Sequence, residues 1–532
     1  MRPRVRERAC ASRARRTTPP AGTPFACACA IIAALSALSG CGNESPRPAI
    51  HGAAIAIVLE DFVQVPASST SLPRARINSM IAAPDGSHRL FVNDMVGKIY
   101  IVQDRKIMNA PFLDMAVARK DAFTSEDLFE QGLNTFAFHP DFARIGQPGY
   151  GRLYTFSTER VGSGKARHAL ANQQAAHHDV VAEWRLDARN ANRVDPESRR
   201  ELLRIAHPLH DHVGGQIAFS PRAQPGSADY GMLYIGVGDG GNTVPRSHQV
   251  DAWRTAQDKS LPFGKLLRIN PLGATDIPYT VPSDNPFVNE RGALGEIWAL
   301  GLRNPSRFSW DSAGDGKLLI ADIGQTQLEE INVGQAGANY GWSQREGMRL
   351  VRHADERQRG NLPLYDRLLG FTYPAVSYGH HVGFAVTGGF VYRGTALPVL
   401  TGMYVFGDVV NGRVFATAVE QLQSGRQAPM YELRFSYGGM EQTLLQILRT
   451  GRADLRIAVD ERGEMYLLSK QDGTIRRFAG TVASETGTWP LEHPTDPLDD
   501  ATVLQRVAAP LGGTVSDVLE RLKTLSQSRP KR

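Results

Sequence analysis

Cysteine is nearly missing from this chain. All four cysteines (Cys10, Cys27, Cys29 and Cys41) lie in the first 41 residues, and none follows. The body therefore has no disulfide, no thiolate metal site and no covalently attached c-type haem. The shortage by itself excludes no compartment. Excess charge is missing too. Residues 1–40 hold seven arginines and one glutamate, a net +6 that equals the formal charge of the whole chain. The rest is close to neutral and carries no electrostatic footprint for nucleic acid. Helical periodicity is sparse. Only residues 500–525 show a weak one, at Val503, Leu504, Val507, Val515, Val518, Leu519 and Leu522, which predicts a short helix or tail. Beyond the leader, no run is long and apolar enough for a transmembrane helix. Turn formers are plentiful, with 52 glycines and 32 prolines, and 42% hydrophobic residues suffice for a sizeable core.

The leader has its own pattern. Arginines from Arg2 to Arg16 precede the apolar run Phe25–Leu38, too short to span a bilayer, and Leu38-Ser39-Gly40-Cys41 follows. This resembles a bacterial lipoprotein signal, in which the cysteine is acylated and becomes the new N-terminus. The resemblance implies lipidation at Cys41 and an exported protein anchored on the periplasmic or cell-surface side. The plainer reading is an ordinary cleaved signal. The expected organisation is a signal over 1–40, a tether over 41–60, a main domain over 61–480, and a linker with a helical tail over 481–532.

One pattern recurs along the main domain: Leu or Met, a short apolar strand, then a polar turn. It starts at Leu90, Leu153, Leu233, Leu318, Met403 and Met465, six copies spaced 62 to 85 residues apart. Three copies run on into a second strand opening with Gly97, Gly412 or Gly473, which reads as a hairpin. Several follow another short apolar stretch, such as Ile77–Ala83, Thr135–Phe138, Gln216–Phe219 and Ile457–Val459. Six multi-strand units predict an all-β fold, a six-bladed β-propeller with long inter-strand loops, rather than a sandwich pair. The polar stretch 159–178, with His168, His177 and His178, reads as a surface loop. Residues 344–370 read as a long charged insertion.

The densest chemistry lies between His207 and Asn242. His207, His210, Asp211 and His212 fall within six residues, followed by Gly214-Gly215 and the glycine-rich turn Gly236–Gly241. Imidazole titrates near neutrality and can act as a general base. The three histidines are also the basis of a metal-dependent, lactonase-type reading, although spacing across Pro208 is not specific.

Eight motifs in order give more. GLNTFAFHPDF (Gly132–Phe142), DHVGGQIAFSP (Asp211–Pro221), LYIGVGDGGN (Leu233–Asn242), GKLLRINP (Gly264–Pro271), VPSDNPF (Val281–Phe287), LGLRNPSRFSWD (Leu300–Asp311), ADIGQTQLEEINVGQAGANYGW (Ala321–Trp342) and TGGFVYRG (Thr387–Gly394) together resemble the soluble glucose/sorbosone dehydrogenases that use pyrroloquinoline quinone (PQQ), a six-bladed propeller family. The resemblance implies oxidation of an aldose or related sugar or polyol, with hydride passing to the quinone and electrons leaving to an external acceptor. His212 would be the general base, with Asp211 orienting its ring or contacting substrate. Arg303 and Asn304 match the family's cofactor contacts, and a guanidinium suits an acidic quinone. Glu130 matches a position that binds sugar hydroxyl or supports His212, and is counted with the cofactor-binding set.

Calcium is the second implied cofactor. Gly324 and Gln325 match two backbone carbonyls that hold an ion against the quinone, as hard oxygen ligands suit. The second of these is often proline, and here is glutamine. Glu330 and Tyr340 match ligands of a second, structural calcium. The match thins toward the C-terminus. No lysine stands near Asp408–Gly412, and Arg393, Arg452, Arg456 and Lys470 are the basic substitutes on offer. That gap supports a different reading, a cofactor-less propeller that binds a ligand or partner.

Overall fold

The structure is a computed structural model that describes residues 49–491, except 127–129, 172, 242–253, 274–276, 352–361 and 363. The signal, Cys41, the C-terminal tail and Asn242 lie outside the described residues.

Six sheets make a closed ring. Their innermost strands are Ile77–Ala82, Leu133–Phe138, Gly214–Phe219, Arg307–Trp310, Val386–Val391 and Leu455–Val459. Each neighbours the next, and the last returns to the first. The second strands are Leu90–Asp94, Arg152–Glu159, Leu233–Val237, Leu318–Asp322, Met403–Asp408 and Met465–Ser469. These are the six repeats legible in the sequence. A blade packs against neighbours on both faces, so its inner strands are apolar on both sides instead of alternating. Leu90–Asp94, Leu233–Val237 and Leu318–Asp322 are accordingly buried at every position.

The ring is closed by the two ends of the described chain. Ala53–Gln64 pairs antiparallel with Thr474–Thr488 as the fourth strand of the sixth blade. This corrects two boundaries. Residues 53–60, expected as tether, and 481–488, expected as linker, are both strand. The surface-loop expectation for 159–178 also fails at its end, because the strand His177–Asp187 begins there and both His177 and His178 are buried. The insertion over 344–370 includes a small hairpin, Arg345–Glu346 against Arg349–Leu350.

Innermost strands all enter from one face, so the loops before them and the turns after the second strands gather there. That face carries Glu130, His212, Asp239, Arg303, Asp322 and Asp454 from four blades.

Candidate functional site

His212 stands two residues before the innermost strand of the third blade and has a left-handed backbone, φ +57°. Such a conformation in a non-glycine residue is uncommon and persists where its surroundings over-determine it. Here both ring nitrogens are held. Nδ1 lies 2.6 Å from Asp239 Oδ1, and Nε2 lies 2.9 Å from Arg303 Nη2. Burial works against ionisation of Asp239, but His212, the Arg303 charge and Trp342 Nε1–H together outweigh it and keep the carboxyl below its ordinary range. The carboxylate can only accept, so Nδ1 carries the hydrogen. The guanidinium can only donate, so Nε2 presents its lone pair. His212 is a neutral imidazole with its basic nitrogen turned to Arg303.

The sequence reading does not single out Asp239 and offers Asp211 as the partner. Asp239 sits in the Gly236–Gly241 turn at the end of the second strand. Its other oxygen accepts from Trp342 Nε1 at 2.8 Å, and its carbonyl accepts from Thr255 Oγ1. Asp211 is half exposed, with Oδ2 4.0 Å from His212 Nε2. It is therefore a rim carboxylate and not the ring's orienter. The signal available was an aspartate inside a glycine-rich turn. The close approach is visible at Gly238, where a Cβ would fall 1.8 Å from the His212 carbonyl oxygen.

Arg303 and Asn304 come from the fourth blade. Both backbone N–H groups donate to Asp322, at 2.9 and 2.7 Å. The Arg303 guanidinium donates to the Ile323 carbonyl and the Gln325 side chain, and lies over the Trp342 ring. It is 7% exposed and forms no ion pair among the described residues, and its Nε has no partner there. Asn304 accepts from Gly214 N–H and donates to Glu130, whose carboxylate also accepts from Val213 N–H at 2.8 Å. Glu130 thus ties the second blade to the His212 loop.

Gly324 and Gln325 follow directly. No described donor is bonded to either carbonyl oxygen. The turn is fixed by Glu346, which accepts N–H groups from Gln325, Thr326, Gln327 and Leu328. Glu330 is buried and accepts from Asn332; burial, then the nearby Asp322 charge, raises its pKa well above the carboxylate range. Tyr340 does not direct its hydroxyl at Glu330. It donates to the Val333 carbonyl at 2.8 Å and accepts from Gln335 N–H.

The basic substitutes are scattered. Arg393 follows the far end of its innermost strand and pairs with Asp311. It is on the opposite face and leaves the candidate set. Arg452 pairs with Asp454 at the rim. Arg456 and Lys470 lie deeper, toward the axis.

The histidine trio is also divided. His207 Nδ1 lies 2.6 Å from Asp179 Oδ2, and its Nε2 donates to the Asp211 carbonyl. His177 reaches the other Asp179 oxygen at 3.1 Å, and Gln131 Nε2 links His177 to His210. His177, Asp179 and His207 bring ligand-type atoms within 4.8 Å of one another. However, the two imidazoles stack at 4.7 Å and 14°, so no one ion lies in the plane of both rings as they stand. The metal-hydrolase grouping of His207, His210 and His212 is therefore not assembled.

Residues 76–475 match the family described as Glucose / Sorbosone dehydrogenase. HIPL1 protein of Arabidopsis thaliana is 30% identical over 392 residues, 65% of this chain and 53% of that protein. Hedgehog-interacting protein of Mus musculus is 28% identical over 406 residues, 76% of this chain and 50% of its own. The chain spans about half the length of these curated relatives. Among solved structures, the PQQ-bound form of aldose sugar dehydrogenase from Streptomyces coelicolor superposes with a TM-score of 0.50 at 18% identity, covering 80% of this chain and 98% of that one. At that identity the likeness speaks for the fold.

Proposed function

The chain belongs to the glucose/sorbosone dehydrogenase family, and from that premise we propose that it oxidises an aldose or related sugar or polyol with PQQ and calcium. The observation that carries the reading is the His212 arrangement: a neutral imidazole, oriented by a buried carboxylate, beside a buried guanidinium without an ion pair.

The residues present suit both groups. An arginine with an unpartnered Nε fits an acidic ligand, and two free carbonyls at Gly324 and Gln325 fit a hard cation. When bound, PQQ supplies the hydride acceptor and calcium a Lewis acid. The chain's own part is proton handling and placement. His212 Nε2 takes the substrate hydroxyl proton, Asp239 stabilises the imidazolium so formed, and Arg303 must release its 2.9 Å contact to admit the hydroxyl. Glu130 and Asn304 hold the loop, and Asp211 at the rim is placed to meet a sugar hydroxyl.

Reconstitution with PQQ and calcium, followed by dye reduction over a panel of sugars and polyols, tests the reading. A quinone absorption band and turnover on at least one aldose are expected. His212→Ala should lower turnover about 10²–10⁴-fold while the band persists. Neither band nor turnover with any substrate would favour the second reading, a cofactor-less propeller that binds a partner. Its support is the likeness to Hedgehog-interacting proteins and the Arg393 that is turned away. We also propose export as a lipoprotein acylated at Cys41, on the strength of Leu38-Ser39-Gly40-Cys41. Cys41→Ser should move the protein out of the membrane fraction, and unchanged fractionation would refute it.

A further inference from the structure

Beneath the Glu130–Asn304–Gly214 contacts, on the propeller axis, is a cavity of about 50 Å³ lined by residues that include Asn78, Glu130, Asn134, Arg307, Thr387 and Arg456. One water needs roughly 10–15 Å³ by this measure, so there is room for a small ion with one or two waters. The cations around it outnumber the carboxylates that answer them. Arg307 donates to the carbonyls of Ser306 and Asn78. Arg456 donates to the Asn78 side chain and the Leu455 carbonyl. Lys470 is buried behind Met95, another lining residue, and among the described residues its ammonium meets only the Met95 sulfur, at 3.0 Å. None of the three forms an ion pair with a described carboxylate. Asp454, the nearest acid on that blade, is taken by Arg452 and Gln471. Glu130 is the one carboxylate among the described lining residues, and it accepts from Val213 and Asn304.

We propose that this axial cavity binds a small inorganic monoanion, of halide size, between Arg307 and Arg456 with Lys470 alongside. Desolvated cations are costly unless paired, and an anion supplies the partner that the polypeptide does not. The repulsion is visible in the titration of Arg307 and Lys470. Burial, then the Arg456 charge, brings Arg307 down to about 9 against the pull of Glu130. Burial brings Arg456 to about 10, although Asp454 and Glu130 pull the other way. Burial and the charges of Arg456, Arg76 and Arg307 hold Lys470 well below the lysine range. A water sharing the cavity would serve Asn134 Oδ1, a buried acceptor with no donor among the described residues. The inference does not depend on PQQ, and its test uses the protein without quinone.

The experiment is thermal unfolding of the full chain in sodium gluconate, chloride and bromide at equal ionic strength, with Arg456→Gln and Lys470→Met beside the wild type, and anomalous diffraction from bromide-soaked crystals. The wild type should gain several degrees in either halide, and bromide should give a peak between Arg307 and Arg456. Lys470→Met should be at least as stable as the wild type in gluconate, because it removes a buried charge, and should lose most of the halide gain. Arg456→Gln should lose it altogether. If Arg456→Gln fails to fold, Lys470→Met and the bromide peak decide. Equal shifts in all three proteins, no shift at all, or bromide found only elsewhere would overturn the proposal.

Discussion

At the scale of single residues, the site turns on which nitrogen of His212 carries the hydrogen. Asp239 sets that tautomer, and an amide in its place can donate to Nδ1 and move the hydrogen to Nε2. Asp239→Asn should therefore cost about 10²–10⁴ in turnover, the range of a mis-set general base. PQQ binding followed by absorption should be unchanged, because Asp239 faces the ring and Trp342 and not the open side of Arg303. Steady-state kinetics on the reconstituted protein checks it; turnover within a few-fold of wild type would mean that Asp239 is only a structural partner. His212, Arg303 and Asn304 were legible because each is embedded in a run of family-like neighbours. Asp239 was not, because a partner 27 positions away across two strands leaves no local trace, while Asp211 next door is a false one.

Among the elements, the loop from His207 to Gly214 owes its shape to a strand of the preceding blade. His177 and Asp179, on that strand, hold His207, and His207 donates back to the Asp211 carbonyl beside the base. Because His207 donates through both nitrogens, it is an imidazolium. Burial alone would lower its pKa, but Asp179 outweighs that and raises it. At Asp179 burial pushes the other way, but His207 and His177 outweigh it and bring the carboxyl down to about 2. The signs follow. With its folded pKa raised, His207 contributes fully below its unfolded value of about 6.5, and the contribution is lost as pH rises through the folded value. The Asp179 contribution is present above about 4 and is lost as pH falls toward 2. Asp179→Asn should thus be about 3 kcal/mol less stable at pH 5, and the gap should narrow on raising the pH past 6.5 toward 9. Urea unfolding across that range measures it, and a gap that does not change with pH would refute the charged pair. The sequence marked His207 but not its partners, since the polar stretch 159–178, His177 included, reads as a surface loop. A buried polar cluster does not announce itself by hydropathy.

For the molecule as a whole, the repeats made the ring legible, because each second strand is buried on both faces and so reads as an uninterrupted apolar run. What closes the ring was not legible. Residues 53–60 follow a polar stretch and pair with a strand more than 400 positions away, and 481–488 is rich in Thr and small residues, compositions that local pattern assigns to tether and linker. Yet Ile57, Leu59 and Val63 are buried in the core of the last blade or between it and the first. At about 1.5–3 kcal/mol for each side chain, these three residues account for roughly 5–9 kcal/mol, comparable with the 5–15 kcal/mol of a typical domain. Ten register pairs to Thr474–Thr488 would be lost with them. A chain beginning at Val65 should therefore have no cooperative unfolding transition near that of the full chain, and should expose the edge of Thr474–Thr488. Leu59→Ala, which keeps the strand, should cost only about 2–5 kcal/mol and stay cooperative. Calorimetry on the two proteins separates the cases. If the shortened chain melts as sharply and as high as the full one, the first strand is an accessory and the other five blades with a three-stranded sixth suffice to hold the ring.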